Sequence, residues 1–405
     1  MPPAALPQPV AFPAIDRAAA FSSTREFDVL LGCCAEYSNQ QRAERIRKIL
    51  ACQLDWERLI QLTEQHGVVP QVYRCLSAAA EVVPSGALEA LRRHYEANVR
   101  QTLWLTRELL RILECLHSLG ICALPYKGPV LAEILYGNVA LRQFSDLDVL
   151  IHAADVAKTK AALIELGYEP GIELTQREER AYLASGYEYT FDSARGRNLL
   201  EVQWQILPRF YSVDFDVDDF FDRAVPVSIG GHSIHTLSGE DLMLVLCVHA
   251  AKHVWVQLSW FCDIAELARS PRLDWDTIQH QARRLGIERI VVVTFFLAHK
   301  LLRTPSSAAV EKRLPTDRAI EALADQILPV IAEGVEYSTE SISYFRLMME
   351  LRERWQDRVR LLWRLVFTPS VGEWAAVRLP GPLFPLYRAV RAVRLANRLV
   401  SSRSG

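Results

Sequence analysis

The sequence predicts an α+β protein in which an α/β core is flanked by helical regions on both sides. Three observations carry that prediction. Apolar residues recur at helical spacing from about Phe27 to Leu119, as in Trp104, Leu105, Leu109, Leu110, Ile112 and Leu113. Short apolar runs broken by turn residues follow, and helical periodicity returns from the helix start at Glu240-Asp241 to about Phe367. The expected organisation is a leader over 1–20, a helical N-terminal region over 21–119, an α/β domain over 120–235, a helical domain over 236–368 and a basic tail over 369–405.

Each element has a local reason. Met1 to about Ile15 carries five prolines and no basic region, which predicts a floppy leader rather than a signal peptide. Ile121 to Tyr126 reads as a strand that breaks at Lys127-Gly128-Pro129 into a helical pattern through Leu131, Ile134 and Leu135, closed by Tyr136-Gly137. Ser145 to Ile151 is a second strand, and Val156 to Leu166 a helix ending at Gly167. Tyr187 to Phe191 and Leu199 to Ile206 form a strand pair joined by a Ser-Ala-Arg-Gly-Arg turn. Gly230-Gly231 and Ser238-Gly239 are turn-like and lead into the second helical region.

The strand at 145–151 holds the most informative residues. Side chains alternate along a strand, so Asp146 and Asp148 point to one face of an otherwise apolar run. Two ionised carboxylates placed so repel each other and lose hydration, which is stable mainly when a cation sits between them. Oxygen-only ligands favour Mg²⁺ or Mn²⁺. The Lys127-Gly128 turn before a helix offers backbone N–H groups and a positive charge to a phosphate. Arg142 follows, four residues before Asp146. The alternatives at these positions are a solvated strand-end charge for Lys127, a simple ion pair with Asp146 for Arg142, and an exposed strand position for Glu201.

Lys127-Gly128, Leu135-Tyr136-Gly137, Arg142 and Asp146-x-Asp148 together resemble the nucleotidyltransferases of the polymerase-beta-like fold, and within them a bacterial branch with a helical N-terminal region. The resemblance covers about residues 50 to 395, and its second recurring segment is similar to His249-Ala-Ala-Lys252-His253 followed by Leu258-Ser-Trp260-Phe-Cys-Asp263. It implies an NTP donor such as ATP, Mg²⁺ (or Mn²⁺) held by Asp146, Asp148 and Glu201, and triphosphate contacts from Lys127, Gly128 and Arg142. On the same ground Lys252 or His253 is expected to face the cleft. Two departures stand out. Lys-Gly replaces the superfamily's Gly-Ser, with seventeen residues between Gly128 and Asp146, and in Leu199-Leu-Glu201-Val-Gln203 a Gln stands where relatives carry a His, with Glu in the acid position.

Nucleotidyl transfer to an acceptor hydroxyl requires these residue types, because charge builds on the attacking oxygen, the α-phosphate and the departing pyrophosphate. The expected acceptor is a small molecule, sugar or peptide. Nothing marks a template or tRNA grip, and a net charge of −2 gives no general attraction to nucleic acid. Two other readings stay open: a nucleotide-binding regulator without turnover, for which Gln203 is the hint, and an RNA-modifying transferase using the arginine-rich tail.

The rest of the chain bounds these expectations. With 405 residues, half of them apolar, it can bury a substantial core. Eight cysteines occur without a Cys-x-x-Cys pair, as in reduced thiols of a cytoplasmic protein. No apolar run reaches membrane-spanning length; Ile290 to Leu297 comes nearest and His299-Lys300 closes it. His249 and His253 have a zinc-compatible spacing without an evident third ligand, and the competing expectation packs them near Trp255 and Trp260. Asp263 is placed either against Lys252 or on substrate. From Arg352 onward eleven arginines face Glu353, Asp357 and Glu373, and Arg388, Arg391, Arg394 and Arg398 share a helix face. That face is expected to dock on an acidic region of the same protein, with an anionic membrane or RNA as alternatives. Oligomeric state is not legible.

Overall fold

The computed structural model describes residues 23–193, 196–304, 318–334, 341–369, 371–377, 379 and 381–401. The leader expected over 1–20 lies outside the described residues.

Five helices form the N-terminal region: α1 (Arg25–Cys34), α2 (Asn39–Leu50), α3 (Trp56–Gln65), α4 (Val69–Ser77) and α5 (Ser85–Ser118). Their starts are set locally. Thr24 and Asp55 accept from the backbone N–H groups of Phe27 and Arg58, and Ser38 with Gln41 makes a capping box. Along α5 the residues Leu91, Leu105, Leu109, Ile112 and Leu116 are buried at helical spacing, so its C-terminal half lies on the sheet.

The sheet has the order β1-β2-β5-β4-β3, built from β1 (Ala123–Pro125), β2 (Leu147–Ile151), β3 (Glu169–Pro170), β4 (Glu188–Ser193) and β5 (Gly196–Gln203). β1 pairs antiparallel with β2, β2 parallel with β5, and β5 antiparallel with β4. Alternation separates the two faces. Leu147, Val149, Ile151, Leu200 and Val202 enter a core shared with α5 and α7 (Val156–Glu165), whereas Leu150 enters the core of the helical region. Asp148 and Glu201 share the second face and stand opposite each other in the parallel register. The strand pair at 187–206 is correct in place, but β5 ends at Gln203 rather than Ile206. Trp204 and Ile206 leave the ladder to enter the two cores.

Helix α6 (Gly128–Tyr136) starts at the turn after β1, with Pro in its first turn and Gly137 in the left-handed conformation as its stop. Sequence periodicity missed α8 (Gln176–Ser185), α9 (Val217–Asp222) and the hairpin β6 (Val225–Ile229) with β7 (His232–Thr236). The hairpin is largely exposed and α8 has no fully buried residue, so neither carries a strong apolar period.

Beyond it lie α10 (Gly239–Lys252), α11 (Leu258–Ala268), α12 (Trp275–Leu285), α13 (Glu288–Leu302), α14 (Arg318–Glu333) and α15 (Ile342–Glu350). These helices and α1–α4 build one continuous core, in which Phe27 and Leu59 join Leu242, Trp255, Phe295 and Tyr344. Backbone bonds stitch the two regions: Glu36 N–H to Leu302 O at 2.9 Å and Ser259 N–H to His66 O at 3.0 Å. The chain closes with α16 (Trp355–Phe367), α17 (Val371–Ala376), a 3₁₀ turn at Gly381–Leu386 and α18 (Tyr387–Ser401).

Candidate active site

Sheet, N-terminal helices and helical region enclose a cavity of about 760 Å³. One wall is the carboxylate face of the sheet. Gly128 can turn the chain there because its φ is +51°, and an added Cβ would stand 3.2 Å from the Asp146 carbonyl oxygen. Lys127, at the N-cap of α6, is thereby aimed at β2, and its Nζ lies 2.8 Å from Asp148 Oδ1. Lys127 is therefore not a solvated strand-end charge. Burial opposes its positive charge, yet the fields of Asp148, Tyr126, Glu201 and Asp146 overcome that cost and hold the ammonium above its ordinary range.

The other oxygen of Asp148 has no hydrogen-bond partner although it is buried. Such an atom is costly unless a ligand satisfies it. Asp146 precedes the strand on the cavity side; burial, then the neighbouring Asp148, pushes its carboxyl up to about 6. Glu201 is half-buried rather than exposed, and burial followed by the charges of Asp148 and Glu188 pushes it up to about 9.

Gln203 ties the acids together. Its Nε2 lies 3.0 Å from Glu201 Oε2, 3.2 Å from Glu188 Oε2 and 3.4 Å from Asp148 Oδ1, and its Oε1 accepts from the Tyr126 hydroxyl. A neutral amide at this position can donate to several carboxylates at once without a proton of variable occupancy, which a His would bring.

Among the described residues no group of three or more His, Cys, Asp or Glu side chains is poised as a ready-made metal cage. Mg²⁺ is usually held by one or two carboxylates with substrate phosphates completing the shell. Asp146 and the orphaned Oδ2 of Asp148 are suited to that, with Glu201 across the register.

The opposite wall comes from α10 and α11. Lys252 donates to the Tyr187 hydroxyl at 3.0 Å and its ammonium lies 4.8 Å from that ring's centroid. His249, His253 and Trp260 form a ring cluster with centroids 4.8 to 5.6 Å apart. Burial first, then neighbouring cations, depresses both histidines well below their usual range, and burial lowers Lys252 as well. Behind them Val254 and Trp255 turn the chain with φ of 55° and 53°, an unfavourable conformation for a β-branched residue. It is held by Trp255, fully buried, whose Nε1 donates to Thr294 Oγ1 at 2.9 Å.

Arg142 does not pair with Asp146. Its Nε donates to Asp263 Oδ2 at 2.9 Å, while the Tyr136 hydroxyl donates to Oδ1 at 3.0 Å. Asp263 therefore pairs with Arg142 and not with Lys252, and the buried bridge clasps α11 to the segment before β2. Arg142 still borders the cavity, together with Asn98 of α5, whose Nδ2 donates to the Ala140 and Arg142 carbonyls. The structure thus brings Lys127, Arg142, Asp146, Asp148, Glu201, Lys252 and His253 around one space, while Gly128 is buried behind Lys127 against the Asp146 backbone. Sequence reasoning missed Tyr126, Tyr187 and Glu188. A signal existed for Glu188, since the hairpin register sets it opposite Gln203.

The family model for an uncharacterised nucleotidyltransferase matches residues 53–303, and the chain belongs to that family. It is a nucleotidyltransferase by family, with a nucleotide as its expected substrate. Among solved structures the chain is similar to an antigenic nucleotidyltransferase-like protein from Paracoccidioides brasiliensis, at 16% identity over 52% of this chain and 97% of that one, with a TM-score of 0.29. No curated protein matches. Among the described residues no helix is long and apolar enough to cross a membrane.

Proposed function

We propose that this protein is a Mg²⁺-dependent nucleotidyltransferase that moves an NMP group from an NTP to a hydroxyl of a small-molecule, sugar or peptide acceptor. The observation that carries the reading is the buried, unpartnered Oδ2 of Asp148, beside Asp146 and in register with Glu201. Asp146 and Asp148 would hold the metal with substrate phosphates, Glu201 standing across the register, and the metal would supply charge neutralisation at the α-phosphate and the leaving pyrophosphate.

The chain's own residues divide the remaining work. Lys127 keeps its proton and places a fixed positive charge beside the carboxylates, where a triphosphate would lie. The Gly128 turn, closed against the Asp146 backbone, sets Lys127 at the start of α6, whose N-terminus would face a phosphate. Arg142 contributes positive charge while its bond to Asp263 keeps α11 in place. Glu201 holds a proton at neutral pH in the ligand-free site and becomes an acceptor for the attacking hydroxyl's proton only when positive charge neutralises its neighbours. Trp260 with the neutral His249 and His253 offers flat, uncharged surface for a base or an acceptor ring.

The test is calorimetric titration of ATP, GTP, CTP and UTP with and without Mg²⁺, on the wild type and on Asp148→Asn. Mg²⁺-dependent binding of an NTP that weakens in the variant supports the reading. Absence of binding by every NTP, with and without candidate acceptors, overturns it.

A further inference from the structure

The C-terminal helices carry an exposed surface that this chemistry leaves unused. On α16 the residues Trp355, Val359, Leu362, Trp363 and Phe367 recur at the spacing of one helix face, and all are exposed. Trp355 and Trp363 are 70% and 64% exposed. Leu361 and Leu365, on the other face of the same helix, are buried. Leu386 extends this surface across the groove, and Leu383 and Val393 in the same C-terminal segment are exposed as well. Between the two helices runs a groove of about 1120 Å³ lined by Trp363, Phe367, Leu386 and Ala389, with Arg364 and Arg388 beside them. An apolar surface this continuous is uncommon on an uncomplexed protein face.

Charge tells what would cover it. From Arg352 to the end the sequence has eleven arginines, no lysine and three acids, in a chain whose net charge is −2. Asp357 and Glu373 are buried, and Glu373 accepts from Arg391 and Arg394. This is the docking expected for part of the basic helix. Arg360 and Arg388 instead stay exposed at the edges of the apolar face.

We propose that α16 and α18 form a docking face for an anionic lipid surface. Tryptophans, aliphatic side chains and flanking arginines are the composition that beds a helix at the headgroup level. A second copy would press the same arginines against each other across a self-complementary interface. RNA would engage the arginines but offers no hydrocarbon in which Val359, Leu362 and Phe367 could be buried.

The full-length protein is mixed with vesicles of phosphatidylcholine alone, and with vesicles containing about one-third phosphatidylglycerol, and the bound fraction is read by sedimentation. The expected result is binding to the anionic vesicles only, weakened by salt. It falls about tenfold or more in Trp355→Ser/Trp363→Ser, with Mg²⁺-nucleotide titration unchanged. The exposed pair Arg360→Glu/Arg388→Glu should abolish the preference for anionic vesicles. Failure of the wild type to bind either vesicle overturns the proposal, as does equal binding by the tryptophan variant. A dimer in light scattering that the tryptophan substitutions dissolve, or RNA binding without vesicle binding, reassigns the face and equally overturns it.

Discussion

The two walls of the cavity are pushed off their ordinary charge states in opposite directions by one cause. On the sheet wall burial raises Asp146 to about 6 and Glu201 to about 9, which favours the protonated acids. On the helical wall burial lowers His249, His253 and Lys252, which favours the uncharged histidines and weakens the hold of Lys252 on its proton. The exception is Lys127, which stays charged because it stands on the acid side, 2.8 Å from Asp148. A cleft of this kind is costly when empty and is relieved by a ligand carrying both signs of charge. Under the proposed function, the difference between the walls sets the metal against the sheet and the neutral rings of the helices against the organic part of a substrate.

The comparison can be broken by substitution. The largest effect is expected for Asp148→Asn, which removes the charge carrying the orphaned oxygen; Mg²⁺-dependent nucleotide affinity should fall by about a hundredfold or more in calorimetry. Unchanged affinity would remove the sheet wall from metal binding.

Next comes Glu201→Gln, expected to stabilise the ligand-free protein. The folded carboxyl titrates at about 9, against an ordinary 4.5. Between these values the folded state holds a proton that the unfolded chain has released, so wild-type stability declines as pH rises through that window. At pH 7 the variant should gain about 2 kcal/mol in denaturant unfolding, after discounting for partial exposure, while the difference vanishes below about pH 4. A variant less stable than wild type at pH 7 would refute the strained-acid view.

On the helical wall, Lys252→Met should lower nucleotide or acceptor affinity about tenfold and raise the pKa of His253, because Lys252 follows burial among the influences that depress it. Nuclear magnetic resonance titration of the histidine reads this directly. The smallest effect is expected at Gly128→Ala, where a positive φ and a backbone oxygen at 3.2 Å cost about 1 kcal/mol in thermal unfolding.

Legibility in the sequence follows the same division. The sheet wall was readable because its parts are local: a strand, a glycine turn, a helix, and two carboxylates two residues apart obey periodicities that span only a few residues. Its reach extended to Glu201 only through resemblance. The helical wall was readable as residues but not as contacts. Asp263 stood near Lys252 in the chain and paired with Arg142, 121 residues away. Glu188 was reachable only through the register of the predicted strand pair, which sets it opposite Gln203, and Tyr187 had no such partner in the ladder.

The sequence by itself determined the helical flanks, the α/β core, the carboxylate strand and the glycine turn before α6, because backbone conformation and side-chain alternation are dictated by neighbours along the chain. Tertiary structure alone decided that the N-terminal helices and α10–α15 share a single core, and that Gln203 gathers three acids. It also decided that Arg142 locks α11, and that α16 turns its tryptophans outward. These depend on burial and pairing between residues far apart in sequence, which set both the charge state of each group and the surface left uncovered.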